Sequence, residues 1–214
     1  MAKIETVLFD FDGTLMNTTN VIMQSWQEVY RTVRGQEEDE EVILKTFGSI
    51  LGEALSEKFP EETEEKLVKI YRDYHHDHFL ELIDLYPGVR DMLEEVRRQD
   101  VNTALVTSRL KRTTMMAVEE FDLGKYFDTI VTADDCTKHK PDPEPLNIAM
   151  GNIGARPESS LMVGDTLYDR ICARNAGTYC AMVDWAPSID VHSLKGENEP
   201  DHILMTAGEL LEII

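Results

Sequence analysis

The chain has 214 residues, with 21 lysines and arginines against 41 aspartates and glutamates, so its formal net charge is −20. A surface this acidic repels nucleic-acid phosphates and anionic lipids, which argues against a general nucleic-acid or membrane-surface binder. Because 42% of the residues are hydrophobic and 29% are charged, the composition is that of a folded protein and not of a disordered one. The length suits one large domain, or a domain with a sizeable insertion.

The cysteines are few and widely spaced, at Cys136, Cys172 and Cys180, and they form neither a disulfide framework nor a metal-ligand pair. This usage is typical of a reducing compartment. The first five residues contain no apolar signal stretch, and no segment approaches the ~20 apolar residues of a membrane span. We therefore expect a cytoplasmic protein that is a monomer or a weak homo-oligomer.

The amino-terminal part of the chain changes character after one short strand. Residues 4–9 form a β-rich apolar run that ends at Asp10. Residues from about 18 to 85 are rich in Glu, Leu, Lys and Met and contain no β-branched run, so they are predicted to be helical throughout. The acidic run at 37–41 is interpreted as a solvated face of this segment.

After Pro87-Gly88 the pattern alternates between helices and strands. The predicted helices cover residues 88–99, 110–121, 143–154, 168–176 and 207–213. The predicted strands cover residues 101–107, 128–132, 160–164, 178–184 and, at the edge, 202–205. This alternation indicates βαβ units and a parallel sheet covered on both faces. We expect an α/β core, residues 1–16 and 87–214, with a helical insertion at 17–86.

Polar side chains follow three of the predicted strands at the point where each strand ends. The first strand leads into DFDGT at 10–14, a second ends in TS at 107–108, and a third leads into the GDTLYD run at 164–169. A fourth element, KPDP at 140–143, precedes a helix. Each could be only a helix cap or a turn. Together, at the strand ends where open α/β sheets bind ligands, they indicate a functional site.

These four elements resemble, in sequence and in order, the four motifs of the haloacid dehalogenase-like hydrolases. The resemblance covers essentially the whole chain. It implies a Rossmann-like parallel sheet core with a small helical cap of the C1 type inserted after the first strand. PGV at 87–89 and KYFDTIVTADD at 125–135 are most similar to the phosphatase branch, which includes phosphoglycolate phosphatases and inorganic pyrophosphatases. Asn17-Thr18, where many relatives have Asp-Ser, resembles the pyrophosphatase group.

The resemblance implies a role for each motif in phosphoryl transfer. Asp10 would be the nucleophile that forms an aspartyl-phosphate, and Asp12 would protonate the leaving group and later activate water. Because residues i and i+2 of a strand share a face, both carboxylates can reach one substrate. Thr107 and the backbone amide of Ser108 would hold the phosphoryl oxygens. Lys140 would neutralise charge on the nucleophile and on the phosphoryl group.

The resemblance also implies Mg²⁺ as the cofactor. Asp10 and Asp165 would bind it through their carboxylates, and Asp12 through its backbone carbonyl. Asp169 would act through a water molecule or from behind these ligands, and Thr14 would orient the loop. A charge argument points the same way, because one pair of like charges at 4 Å costs about 4 kcal/mol at an effective dielectric constant of 20. Four carboxylates around an anionic phosphate therefore require more than one lysine.

Other functions remain as alternatives. Dehalogenase relatives lack the second aspartate of the first motif, so Asp12 disfavours carbon–halogen cleavage. Sugar-phosphate mutases of this fold keep Asp12 but carry a cap arginine after a glycine, whereas this chain has GSILG at 48–52. A signalling receiver has its phosphoacceptor in mid-chain, and a catalytically idle binding protein would not need the intact motifs. The expected partner is a small phosphate monoester or pyrophosphate, and not a nucleic acid or a membrane.

Several other residues are given structural interpretations. Trp26 and Tyr30, four residues apart, are predicted to lie in the core of the helical insertion. Trp185 is predicted to support the rim of the site from outside. The stretch TFGSILGEAL at 46–55 is predicted to meet the substrate when the cap closes. Three histidines lie on a predicted helix of the insertion, where His75 and His78 share a face but His76 does not, so we do not expect a metal site there.

Overall fold

The computed structural model describes residues 3–47 and 49–214. The chain divides into two compact units. One unit comprises Met1–Asn17 and Leu85–Ile214, and the other comprises Thr18–Asp84. The first unit therefore consists of two separate stretches of chain, and the second is one continuous stretch.

The strands form one large and one small sheet. In chain order they are β1 (Thr6–Phe9), β2 (Met16–Asn17), β3 (Asp84–Leu85), β4 (Asn102–Val106), β5 (Thr129–Val131), β6 (Ser160–Gly164), β7 (Tyr179–Val183) and β8 (His202–Leu204). Six of them form a parallel sheet in the order β5-β4-β1-β6-β7-β8, and β2 pairs with β3. The predicted α/β class with a parallel sheet is confirmed.

The described residues also form eight α-helices. In chain order they are α1 (Thr19–Arg34), α2 (Glu40–Leu44), α3 (Leu51–Lys58), α4 (Glu64–His78), α5 (Val89–Arg98), α6 (Lys111–Glu120), α7 (Glu144–Ile153) and α8 (Leu167–Ala176). From α5 to α8 the predicted boundaries agree with the observed ones to within one residue. Among the described residues, no helix combines the length and the apolar character that a membrane crossing needs.

Two local features differ from the prediction. Residues 207–213 were expected to form an α-helix, but Ala207–Glu212 is a 3₁₀ helix. Such short segments commonly adopt this tighter winding, because few α-type hydrogen bonds are available to them. The segment from 18 to 85 is not helical to its end, since β3 pairs there with β2. A strand of two residues is too short to show a period of two in the sequence.

The central strand β1 is buried on both faces, as parallel strands covered by helices are. Val7, Leu8 and Phe9 are all fully buried. The register aligns Phe9 with Leu105 of β4 on one side and with Val163 of β6 on the other. The three strands therefore end side by side, and the residues that follow them converge at one edge of the sheet.

The helical unit has an aromatic core of its own. Trp26 and Tyr30 are buried, as predicted, and each packs against another ring. The ring centroids are 6.2 Å apart for Trp26 and Tyr71, and 4.6 Å apart for Tyr30 and Phe59. The acidic run at 37–41 is largely exposed, which confirms its interpretation as a solvated stretch.

Candidate active site

The chain turns sharply where β1 ends, and this turn presents two carboxylates. The backbone N–H of Asp10 still donates to the carbonyl of Val163, at 2.9 Å. Phe11 is fully buried, and its carbonyl accepts a 2.9 Å hydrogen bond from the amide of Met16. The burial of this ring anchors the turn between the carboxylates of Asp10 and Asp12.

Lys140 links two carboxylates in the interior of the site. Its Nζ lies 2.8 Å from Oδ1 of Asp10 and 2.7 Å from Oδ1 of Asp169, and its side chain is only 4% exposed. Asp165 joins them, since one oxygen of each of the three carboxylates lies within 4.8 Å of the others. Three carboxylates and one ammonium carry a formal charge of −2, so this arrangement fits a divalent cation.

The electrostatics of this cluster reflect its excess of negative charge. Burial raises the pKa of Asp10 to about 7, with Lys140 opposing the shift and Asp169 adding to it. Burial, reinforced by Asp169 and Asp10, also raises the pKa of Asp165 well above its usual range. Burial acts to lower the pKa of the Lys140 ammonium, but Asp10 and Asp169 together outweigh it, so that pKa is raised. The lysine therefore stays charged between carboxylates that it does not fully neutralise.

Asp165 is held directly against the turn after β1. Gly13 has φ of +77°, and a Cβ at this position would lie 2.1 Å from Oδ2 of Asp165. The hydroxyl of Thr14 donates to Oδ1 of Asp165 at 3.3 Å, and the hydroxyl of Ser188 donates to Oδ2. The absent side chain of Gly13 thus leaves the space that the Asp165 carboxylate occupies.

Asp169 is shared between a helix cap and the lysine. In a capping box at the start of α8, the backbone N–H and the hydroxyl of Thr166 donate to Oδ2 of Asp169, at 3.0 Å and 2.6 Å. Oδ1 of the same carboxylate is bonded to Lys140. A Cβ on Gly164 would lie 2.4 Å from the Asp169 Cβ, so this glycine also permits a close approach. Since both oxygens have partners, Asp169 is well placed to orient the lysine.

The predicted phosphate-binding residues follow β4, beside β1. Thr107 is buried, and its backbone N–H donates to the carbonyl of Val131 at 3.0 Å. Its hydroxyl oxygen accepts a 3.1 Å hydrogen bond from the amide of Arg109. Ser108, between them, is exposed. Because β4 is next to β1 in parallel register, Thr107 lies one residue beyond the level of Asp10.

Arg109 is a site residue that the sequence analysis missed. Its Nε lies 2.9 Å and 3.2 Å from the two carboxylate oxygens of Asp12, and its Nη2 lies 3.0 Å from one of them. The Arg109 side chain is 8% exposed and that of Asp12 is 30% exposed. The available signal was a cation two residues beyond a strand-end threonine, in a site rich in carboxylates. Arg109 is thus the hydrogen-bond partner of Asp12, while Lys140 is bonded to Asp10 and Asp169.

The loop that follows β7 braces the turn after β1. The indole Nε1 of Trp185 donates to the carbonyl of Thr14 at 3.1 Å, which agrees with the predicted supporting role of this tryptophan. Ser188 of the same loop holds Asp165. Ser188 lies in an ordinary polar loop sequence, and nothing in that sequence marked it as a site residue.

The three histidines of the helical unit lie in the last turn of α4. The His75 ring stacks between Tyr71 and Phe79, with centroids 5.9 Å and 5.2 Å away. His76 and His78 each place Nδ1 near the carboxylate of an acidic neighbour, at 3.3 Å and 3.4 Å. The three imidazole rings therefore have different neighbours.

Comparison with known proteins gives the same family as the motifs. The model of the haloacid dehalogenase-like hydrolases matches residues 7–183. Pyrophosphatase PpaX of Bacillus cereus (strain AH820) is 37% identical over 217 residues, which cover 99% of this chain and 97% of that protein.

Solved structures share the fold over the whole chain. A predicted phosphoglycolate phosphatase from Haemophilus somnus has a TM-score of 0.87 at 22% identity, with 100% of this chain and 99% of that chain covered. A provisionally named β-phosphoglucomutase from Thermotoga maritima has a TM-score of 0.80 at 25% identity, with 99% and 100% covered. The match of the family model, together with the Bacillus relative, shows that this chain belongs to the haloacid dehalogenase-like hydrolases.

Proposed function

We propose that this hydrolase is a Mg²⁺-dependent phosphohydrolase that acts on pyrophosphate or a small phosphate monoester through an aspartyl-phosphate. The observation that carries the proposal is the buried Lys140 ammonium, bonded to the carboxylates of Asp10 and Asp169 where the central strands end. Phosphoryl transfer needs an in-line nucleophile and positive charge on the phosphoryl oxygens, and this cluster supplies both. The name of the 37% identical Bacillus relative makes pyrophosphate the first substrate to test.

In the first step, a carboxylate oxygen of Asp10 attacks the phosphorus atom. The bond from phosphorus to the leaving-group oxygen breaks, and that oxygen takes a proton from the carboxyl group of Asp12. The Thr107 hydroxyl and the Ser108 amide hold the phosphoryl oxygens in place, and Lys140 offsets their charge. The products of this step are the free leaving group and the aspartyl-phosphate.

In the second step, a water molecule attacks the phosphorus atom of the aspartyl-phosphate. The carboxylate of Asp12, now deprotonated, accepts the proton of this water. The bond between phosphorus and the Asp10 oxygen breaks, which releases inorganic phosphate and restores the Asp10 carboxylate. Asp12 ends the cycle protonated and ready for the next substrate.

The residues at the site fit the proposed cation. Asp10 and Asp165 would hold Mg²⁺ through their carboxylates and Asp12 through its backbone carbonyl, all of them the hard oxygen ligands that this ion prefers. Asp169, bonded to Lys140, would act from behind them. When bound, the ion would supply positive charge to the phosphoryl oxygens and the nucleophile.

We extend the proposal to the roles of the two units, the location of the protein in the cell and its partner. The unit Thr18–Asp84 corresponds to the family's C1 cap, and the other unit to its catalytic core. The three cysteines are free thiols, which suits action in the reducing cytoplasm. The partner is a small phosphorylated molecule, and the protein acts as a monomer or a weak homo-oligomer.

Phosphate release from a panel of substrates tests this function. The panel contains pyrophosphate, phosphoglycolate, p-nitrophenyl phosphate and sugar phosphates, each with Mg²⁺. We expect release from at least one of the first two, and a loss of about 10³-fold or more in Asp10→Asn, because that variant lacks the attacking carboxylate. If Asp10→Asn were as active as the native protein, Asp10 could not be the nucleophile. No release from any substrate by the native protein would favour an idle binding protein, and durable phosphorylation without turnover would favour a receiver.

A sugar-phosphate mutase is the second candidate, because the Thermotoga maritima structure of that provisional name shares this fold. The chain has GSILG at 48–52, without the cap arginine of mutases; Gly48 lies outside the described residues. The predicted contact of this stretch with substrate therefore stays a prediction. A mutase would convert a sugar phosphate into its isomer without net release of phosphate, so the sugar-phosphate reactions are also analysed for the isomer.

A further inference from the structure

Arg109 places a second cation at the carboxyl end of the sheet, with a different partner from Lys140, the cation bonded to the nucleophile. Its guanidinium lies 2.9–3.2 Å from the oxygens of Asp12, and Lys140 is bonded instead to Asp10 and Asp169. The two cations are therefore divided between the two catalytic carboxylates.

The backbone of Arg109 is fixed on both sides. Its N–H donates to the hydroxyl oxygen of Thr107 at 3.1 Å, and its carbonyl accepts a 3.0 Å hydrogen bond from the amide of Ala133. The first contact ties it to the end of β4, and the second ties it to the turn after β5. Because these hydrogen bonds hold the backbone in place, the guanidinium is positioned before a ligand binds. A preorganised cation of this kind can select between ligands.

The partner of Arg109 determines which part of a substrate this cation meets. A general acid must come within about 2.6–3.2 Å of the oxygen that it protonates. In the proposed reaction Asp12 protonates the leaving-group oxygen, so the leaving group lies beside Asp12. A guanidinium bonded to Asp12 is therefore next to the leaving group, and Lys140 is next to the phosphoryl group that is transferred.

We propose that Arg109 is a specificity-determining residue that binds an anionic leaving group, namely the second phosphate of pyrophosphate or the carboxylate of phosphoglycolate. This inference rests on the proposed function and deepens it. Guanidinium matches the oxygens of phosphate and carboxylate through paired hydrogen bonds, and it gives no comparable contact to a neutral group. The preference for such substrates then comes from the core itself.

The test compares kcat/KM for pyrophosphate with kcat/KM for p-nitrophenyl phosphate, whose leaving group carries no phosphate or carboxylate. Arg109→Gln removes the charge and Arg109→Lys keeps it. Both substrates lose activity in Arg109→Gln, because Asp12 loses its partner, but we expect the ratio of the two values to fall by about tenfold or more. In Arg109→Lys, which keeps the charge but loses the paired hydrogen bonds, we expect the ratio to fall less than in Arg109→Gln. An unchanged ratio in Arg109→Gln would show that Arg109 acts only through Asp12 and would overturn the proposal.

A binding experiment on the native protein needs no variant to fold. Methylenediphosphonate and methylphosphonate are compared as competitive inhibitors of p-nitrophenyl phosphate hydrolysis. We expect the diphosphonate to bind about tenfold tighter or more, and this advantage to shrink in Arg109→Gln. Equal inhibition constants in the native protein would overturn the proposal. If p-nitrophenyl phosphate is hydrolysed and pyrophosphate is not, the pyrophosphate assignment fails, and the inhibitor comparison still decides the role of Arg109.

Discussion

At the scale of single residues, the site depends on the close approach of two carboxylate side chains to two glycines. Asp165 lies where a side chain at position 13 would lie, and two hydroxyls, from Thr14 and Ser188, hold it there. Gly164 likewise leaves space for the side chain of Asp169. The carboxylates can gather within 4.8 Å because two glycines leave room for them.

The substitution Gly13→Ala tests this close approach. Its Cβ would meet Oδ2 of Asp165 at 2.1 Å, in a left-handed backbone with φ of +77°. Gly154→Ala is the matched control, since Gly154 has φ of +67° and no neighbour within 4 Å of such a Cβ. We expect both to lose about 1–2 kcal/mol of unfolding free energy from backbone strain, and Gly13→Ala to lose more.

Activity separates the two glycine variants further. Gly13→Ala displaces Asp165, so we expect kcat to fall about tenfold or more, while Gly154→Ala stays near the native value. The measurements are urea denaturation and phosphate release. Equal kcat in the two variants would show that the Asp165 carboxylate can move without cost to catalysis.

At the scale of elements, the start of α8 joins local helix chemistry to the site. Thr166 and Asp169 form a capping box, and the other oxygen of Asp169 holds Lys140. The same hydrogen-bonding pattern occurs where Thr132 caps a short 3₁₀ helix after β5. Helix capping alone therefore does not distinguish a site residue from a structural one, and the carboxylate's second partner does.

The substitution Thr166→Ala separates the cap from the site. Thr63→Ala is the control, because Thr63 is the N-cap of α4 and accepts a 3.4 Å hydrogen bond from a backbone N–H, the same distance as at Thr166. We expect each variant to lose about 1 kcal/mol of stability in denaturant titrations. Thr166→Ala should also lower kcat several-fold, because Asp169 loses one of the two donors that orient it toward Lys140. The same kcat in both variants would show that the capping box of Thr166 and Asp169 stabilises the helix and has no effect on catalysis.

At the scale of the whole molecule, the net charge of −20 and the acidic site act over different distances. Exposed charges more than about 8–10 Å apart are largely screened at physiological salt, so the surface does not prevent an anion from binding. The buried site is screened much less, and its three clustered carboxylates face a single bonded ammonium, that of Lys140. The surface charge and the site charge should therefore respond differently to a divalent cation.

Thermal unfolding distinguishes these two responses. Mg²⁺ bound only by the folded protein raises stability by about 2.7 kcal/mol at a hundred times its Kd, whereas NaCl at matched ionic strength relieves only the surface repulsion. We expect Tm to rise further with Mg²⁺ than with NaCl, and Asp165→Asn to lose this difference. Excess chelator should also abolish turnover in the native protein. Equal Tm values in the two salts, or full activity in chelator, would contradict the proposed metal site.

The sequence by itself determined the helices α5 to α8, the strands of the large sheet and their order along the chain. The runs at 101–107 and 160–164 could be predicted to be strands, because a parallel strand covered by helices is apolar on both faces. The positions of Asp10, Thr107 and Asp165 followed, because parallel strands bring their carboxyl ends to one edge of the sheet. This much needs only local patterns and the common direction of the strands.

Only the tertiary structure decided which side chains of the site are bonded to each other. Arg109 pairs with Asp12 across 97 residues of sequence, and Ser188 reaches Asp165 across 23. Such pairs depend on strand order, register and side-chain direction, which leave no periodic signal in the chain. The sequence alone indicated one cation at the site, whereas the structure has two, each with its own carboxylate partners. The reason is that the partner of a side chain depends on which residues the fold brings near it and not on their separation along the chain.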